Sequence, residues 1–299
     1  VYLDPSGTAV ALHGPVQDAY DAEGGPGGDL GWPRSDVVVT SDGRAQLAHF
    51  TGGSVVVVDG TLRILPAPFG AAWAAAGGER GSLGYPTSAV QAASGGRVSM
   101  MSFERGTVYV GADGVARTLT GAVHAAYVGA GGSAGALGPP TTDVRATPDG
   151  RGSFAHFENG SIYATPATGA RVLTGKVRER WVAAGSENGL GFPTSSVART
   201  ADGAGEFAHF ERGSVYWTPS TGARVLSVVL RNAFVAAGAE RSIGFPTMDV
   251  RATPDRVGRY AHFQRGSIYW TPSTGARLVS GAVRDRWAAS GWERGLGYP

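Results

Sequence analysis

The chain has 299 residues, 42% of them hydrophobic and 17% charged, which is enough apolar material for a packed core. It contains no cysteine, so disulfides, thiolate metal sites and cysteine nucleophiles are excluded. The net charge is only +2, and Lys176 is the single lysine among 26 basic residues that are interspersed with acids, so no nucleic-acid partner is expected. No apolar run reaches the ~18 residues of a membrane-spanning helix, and no membrane span is expected.

Read from its start, the chain opens on "VYLDPSGTAVALHGPVQDAYDAEGG", a half-unit over 1–29. Val1 stands in mid-repeat without a methionine, which predicts a processed or partial chain. A tetrapeptide then recurs: "LGWP" (30–33), "LGYP" (83–86), "LGPP" (137–140), "LGFP" (190–193), "IGFP" (243–246) and "LGYP" (296–299). Successive starts lie 53, 54, 53, 53 and 53 residues apart. A fixed interval of this kind signals a repeat architecture and overrides the two-domain prior that length alone suggests. The expected organisation is one tandem-repeat domain over 1–299, with repeats 30–82, 83–136, 137–189, 190–242 and 243–295 and the start of a further unit at 296–299.

Residues 190–242 serve as the type unit. After the tetrapeptide comes a polar link whose Asp202-Gly203 is a turn signal. "EFAHF" and "SVYW" flank "ERG" and predict a hairpin with a three-residue loop, Gly213 taking the left-handed conformation. That loop pairs Phe210 with Ser214, His209 with Val215, Ala208 with Tyr216 and Phe207 with Trp217. One face would then hold Phe210, Ala208 and Tyr216, the other Phe207, His209, Val215 and Trp217. Both are largely apolar, so a helix and the adjacent repeat should cover them. "TPSTG" supplies a further turn and "ARVL" a third strand.

The segment "SVVLRNAFVAAG" has helical spacing, with Leu230 and Phe234 four residues apart. Equivalent pairs stand at Val16/Tyr20, Phe69/Trp73, Val123/Tyr127, Val177/Trp181 and Val283/Trp287. Each helix should end on a left-handed glycine, as at Gly238 or Gly291. In the tetrapeptide, Leu190 can dock into the core, Gly191 allows close backbone approach and Pro193 stops the helix. It reads as a joint between neighbours. The expected fold class is an α+β tandem repeat of about five units, closed as a propeller-like ring or wound as an open superhelix. A lone unit would bury only part of its apolar surface, so the units should fold together.

Catalytic constellations are not apparent. The six histidines are His13, His49, His124, His156, His209 and His262, and four of them share the position before Phe in the hairpin. A residue repeated in several units suits structure or multivalent binding better than a unique active site. No GxSxG, HExxH or phosphate-loop motif is present, the Asp-Gly turns lack the alternating oxygens of a calcium loop, and no metal or cofactor is expected. The candidate ligand-binding residues are His156, His209 and His262, Tyr163, Tyr216 and Tyr269, Trp217 and Trp270, and Arg212 and Arg265. An aromatic face beside polar groups suits the C–H face and hydroxyl rim of a sugar. The same aromatics could equally be core, the histidines structural and the arginines solvated.

The tetrapeptide, followed by "HFERGSVYWTPSTGARVLS", the aromatic helix and "GLGYP", closely resembles the LGFP repeat along essentially the whole chain. That resemblance implies an exported, actinobacterial, non-catalytic module that anchors a protein to cell-wall polysaccharide, arabinogalactan-type glycan being the suggested ligand. An attached catalytic domain such as a mycolyltransferase or an amidase would lie outside this chain. The partners it implies are cell-wall polysaccharide and, through the half-units at the ends, further repeats or a second copy. A structural or protein–protein scaffold is the alternative. Departures from the pattern, namely "HFTGGSVVVV", "MSF" and Leu137-Gly138-Pro139-Pro140, predict weak or silent copies.

Overall fold

A computed structural model describes residues 1–3 and 6–299; Asp4 and Pro5 of the first half-unit lie outside the described residues. By contacts the chain divides into two compact units. One comprises Val1–Pro148 with Ser153–Glu158, the other Asp149–Gly152 with Asn159–Pro299.

The repeat is built as strands followed by a helix, with one strand more than expected. In 190–242 a four-stranded antiparallel sheet runs in chain order through Ala198–Arg199, Glu206–Phe210, Gly213–Thr218 and Gly222–Ser227. The helix Val228–Ala236 follows. The added strand is two residues of the polar link, too short to leave a sequence pattern. Equivalent sheets occupy the repeats beginning at 30, 83 and 243. In the repeat beginning at 137, Arg145–Ala146 pairs with Ser153–Phe157 and Gly160–Thr165 pairs with Gly169–Thr174.

The hairpin register differs from the expectation by one residue. Phe210 pairs with Gly213, His209 with Ser214, Ala208 with Val215, Phe207 with Tyr216 and Glu206 with Trp217. The loop is therefore Glu211-Arg212 alone. Gly213 lies within the ladder and is not left-handed. A side chain is excluded there for another reason: a Cβ would sit 2.5 Å from the carbonyl oxygen of Leu226 on the next strand. Because side chains alternate, the slip regroups the faces. Ala208, Phe210, Val215 and Trp217 share one, and Phe207, His209, Ser214 and Tyr216 share the other.

Both faces are covered, as the apolar pattern predicts. On the first, Phe210 stacks on Trp181 of the preceding helix Gly175–Ala183, with centroids 5.8 Å apart. On the second, Tyr216 meets Phe234 of its own repeat's helix edge-on at 5.2 Å. Phe234 in turn stacks on Phe263 of the next hairpin at 5.0 Å. Buried clusters accordingly straddle consecutive repeats: Tyr216, Leu226, Leu230 and Phe234 form one core with Ile243, Ala261, Phe263 and Ile268. Each helix aromatic thus belongs to two repeats at once.

The tetrapeptide locks this arrangement. Leu190 and Phe192 offer their carbonyls to the backbone N–H groups of Arg212 and Glu211 at 2.9 and 3.0 Å, gripping the hairpin loop. Trp181 Nε1 donates to the carbonyl of Gly191 at 3.0 Å, and Trp73, Tyr127, Trp287 and Tyr20 do the same to Gly84, Gly138, Gly297 and Gly31. Gly191 has φ +82, and the other five tetrapeptide glycines are left-handed too. The helix-terminal glycines Gly238 and Gly291, at φ +92 and +89, are left-handed as expected. Of the helix pairs, Val283 alone breaks the buried pattern, being 72% exposed where its equivalent Leu230 is fully buried.

Candidate functional site: grooves between consecutive repeats

The hairpin histidines sit on the face that carries the buried tyrosines. His209 Nδ1 is 2.7 Å from Ser214 Oγ, and His262 Nδ1 is 2.7 Å from Ser267 Oγ. Arg284 Nε donates to Ser267 Oγ at 2.8 Å, giving that hydroxyl a second polar partner. The serines are completely buried and cannot meet a substrate, so the Ser–His pairs are structural. His156 is half-buried, and its backbone N–H donates to Thr142 Oγ1 at 3.0 Å.

Burial first, and Arg231 second, pushes the His209 pKa down; burial and then Arg284 do so for His262. With the folded value depressed, the unfolded chain binds protons first as the pH falls. This stabilisation is present above the unfolded value, about 6.5, and is lost as pH drops through the folded values. The thermal midpoint should therefore decline between about pH 7 and pH 5. The decline should be smaller in a His209→Gln/His262→Gln variant, as read by thermal melts across that range.

Tyr163, Tyr216 and Tyr269 are 7%, 4% and 3% exposed, too little to offer a sugar a face. They pack edge-on against Trp181, Phe234 and Trp287. Burial holds the phenols of Tyr163 and Tyr216 up at about 12.

Arg212 and Arg265 also turn inward. The Arg212 guanidinium donates to the carbonyls of Glu187, Asn188 and Gly189 at 2.6, 2.9 and 2.8 Å, and Arg265 does likewise to Glu240, Arg241 and Ser242. These carbonyls belong to the short helical turn before each tetrapeptide, and the arginine caps the turn's C-terminal end. Arg212→Ala should cost about 1–2 kcal/mol of stability in denaturant titrations.

The tryptophans remain available. Trp217 and Trp270 are both partly exposed. Trp270 walls a groove of about 360 Å³ together with Arg259 of its own sheet, Glu211 and Arg212 of the preceding hairpin loop, and Ser227 to Leu230 at the start of the preceding helix. Ser227 Oγ is buried there without a hydrogen-bond partner among the described residues. Of the expected residues, Trp270 and Arg212 come together in this groove, whereas the histidines and tyrosines lie under the helices. Arg259 and Ser227 were not expected, because nothing in their local sequence distinguishes them from other surface positions.

A second contact between repeats also escaped the sequence reading. Arg44, Arg97 and Arg151, each following a turn in the polar link, form ion pairs with the loop carboxylates of Glu104, Glu158 and Glu211 in the next repeat. Glu211 also accepts the N–H of Phe192 at 3.1 Å, and Glu104 that of Tyr85 at 3.2 Å. Pro139 has no N–H to give Glu158. The available signal was the constant separation of 60 or 61 residues between partners. Among the described residues no cluster of three or more His, Cys, Asp and Glu could hold a metal.

The LGFP repeat model matches residues 30–81, 83–135, 137–189, 190–242 and 243–295, nearly the same intervals as the spacing defines. The chain belongs to the LGFP repeat family. No curated protein matches it. Among solved structures, these LGFP repeats are similar to the extracellular domain of a hybrid two component system from B. thetaiotaomicron, at 11% identity and TM-score 0.16. That match covers 84% of this chain but 30% of that one. The TCP10 domain of Danio rerio CPAP matches at 10% identity and TM-score 0.23, over 82% of this chain and 94% of that one. A hemopexin fold protein from cow pea matches at 16% identity and TM-score 0.17, over 67% and 93%. Scores this low establish no shared fold. Among the described residues no helix is long and apolar enough to cross a membrane.

Proposed function

We propose that this LGFP array is a non-catalytic, extracytoplasmic module that holds its protein on cell-wall polysaccharide of the arabinogalactan type. The observation that carries the reading is the Trp270 groove, where an indole stands beside Arg259, Arg212 and the Glu211 carboxylate. Such a mixture suits a polyol with one apolar face. Trp217 stands at the same strand position one repeat earlier. Weak sites linked along one chain gain retention on a polymer through effective concentration, so none need be tight. Ring closure of the array belongs to the same proposal, because it would cover every repeat with a neighbour on both sides. Catalysis has no support: the polar groups that recur in the repeats are consumed in structural hydrogen bonds, as the histidines and loop arginines are.

The test is sedimentation with purified arabinogalactan-containing wall polysaccharide. The folded chain should be retained, and Trp217→Ala/Trp270→Ala should lose about thirtyfold, from the ~1 kcal/mol an aromatic contact contributes at each of the two sites. Failure of the folded chain to sediment would refute the proposal.

A further inference from the structure

At three successive repeats an arginine of the polar link reaches the loop glutamate of the next hairpin, and at two of them it lies over the aromatic ring of the next tetrapeptide. Arg44 reaches Glu104 at 3.0 Å and lies 4.7 Å from the ring centre of Tyr85; Arg151 reaches Glu211 at 2.6 Å and lies 5.0 Å from that of Phe192. Arg97 makes the same pair with Glu158. Sixty residues separate Arg151 from Glu211. The same step in the next repeat joins Ala204 to Gln264, so both members of the pair are absent together.

The rest of the local geometry is kept. Gln264 Oε1 accepts the N–H of Phe245 at 3.0 Å, as Glu211 accepts that of Phe192. The amide nitrogen of Gln264 is left with no partner among the described residues. Where the guanidinium would lie there is a groove of about 440 Å³, with Phe245, Gln264, Ala204, Ser220, Asp202 and Glu240 on its walls. Glu240 is the unexpected member. It is only 8% exposed, and its carboxylate makes no hydrogen bond or ion pair among the described residues. Its carboxylate oxygens are not among the side-chain atoms buried without a partner, so they are reachable from the groove that Glu240 lines.

A guanidinium is a flat group with a rim of donors and an apolar face that rests on an aromatic ring. A sugar ring has the same character: a C–H face and a rim of hydroxyls. The neutral amide at 264 removes the counter-charge that a cation would need, while adding donors. Arg241 and Arg265 balance Asp202 and Glu240 around the groove. We propose that this groove is a saccharide subsite, taking one neutral pentose- or hexose-sized unit in the place of the missing arginine. The ring lies on Phe245, and its hydroxyls bond the Gln264 amide and the Glu240 and Asp202 carboxylates. The inference rests on the polysaccharide reading above.

Ala204→Arg/Gln264→Glu installs the pair found at the other repeats and closes the groove, so it should fold at least as stably as the unaltered chain. Sedimentation with the wall polysaccharide should fall about fivefold, with the thermal midpoint unchanged or raised. Glu240→Gln, which keeps the side chain's shape and removes one carboxylate from the groove wall, should likewise keep the midpoint and weaken retention. Equal retention of the unaltered chain and both folded variants would overturn the subsite while leaving the polysaccharide reading standing. No retention of the unaltered chain would overturn both. Should the double variant fail to fold, Glu240→Gln alone decides.

Discussion

Replacing Trp181 by alanine should lower the stability of the chain by about 3–5 kcal/mol, among the largest effects of any single substitution. The indole is fully buried, meets Tyr163 edge-on at 4.8 Å, stacks on Phe210, and donates to the Gly191 carbonyl at 3.0 Å. Its removal leaves a cavity between two sheet faces, orphans a buried carbonyl and loses aromatic contacts on both sides at once. The chain supplies its own control: Phe234 occupies the same position between Tyr216 and Phe263 with no polar atom to donate. Trp181→Phe should therefore keep the stacking and lose only about 1–2 kcal/mol, the cost of one buried hydrogen bond plus some packing. Denaturant titration with both variants separates the terms. A loss under 1 kcal/mol for Trp181→Ala would mean that the helix aromatic is not the joint.

The second large effect is expected at the tetrapeptide glycine. Gly191→Ala should cost about 2–4 kcal/mol, because the penalty of a left-handed conformation adds to a steric one. At φ +82 a Cβ would stand 2.5 Å from Glu211 Oε2 and 2.7 Å from Glu211 Cβ. Glu211 cannot simply swing away, since it accepts the Phe192 N–H and pairs with Arg151. Gly203→Ala isolates the conformational part: φ is +71 there, but nothing lies within 4 Å of the added atom. That variant should lose only about 1 kcal/mol. Equal losses at the two sites would show that close packing against the hairpin loop contributes nothing.

Much of this architecture was legible in the residues. The 53-residue interval, the aromatic helix face, the left-handed glycines at Gly238 and Gly291 and the apolar coverage of both hairpin faces all follow from local patterns that the structure keeps. The hairpin register did not follow. "ERG" is compatible with a two- or a three-residue loop, and what selects the shorter one is the Leu226 carbonyl against Gly213, on a strand thirteen residues further along the chain.

The candidate site was less legible for a related reason. Arg212 reads as an exposed loop charge until the carbonyls it caps, 23 to 25 residues earlier, are folded beneath it. Tyr216 reads as a platform until the register turns it under Phe234. Trp270, next to the last residue of its strand, stays partly exposed and survives as a candidate. Where a side chain's partner lies in the neighbouring repeat, the local sequence does not reveal it.

That dependence on the neighbour can be measured by excising residues 190–242 and comparing them with residues 190–295 by circular dichroism and thermal melting. Alone, the segment loses Trp181 from one sheet face and Phe263 from its helix, and it should be largely unfolded with no cooperative transition. The two-repeat piece regains the Phe234–Phe263 stack and should recover secondary structure and a melt. A cooperative transition in the single repeat, matching that of the whole chain, would contradict the claim that neighbouring repeats complete one another's core.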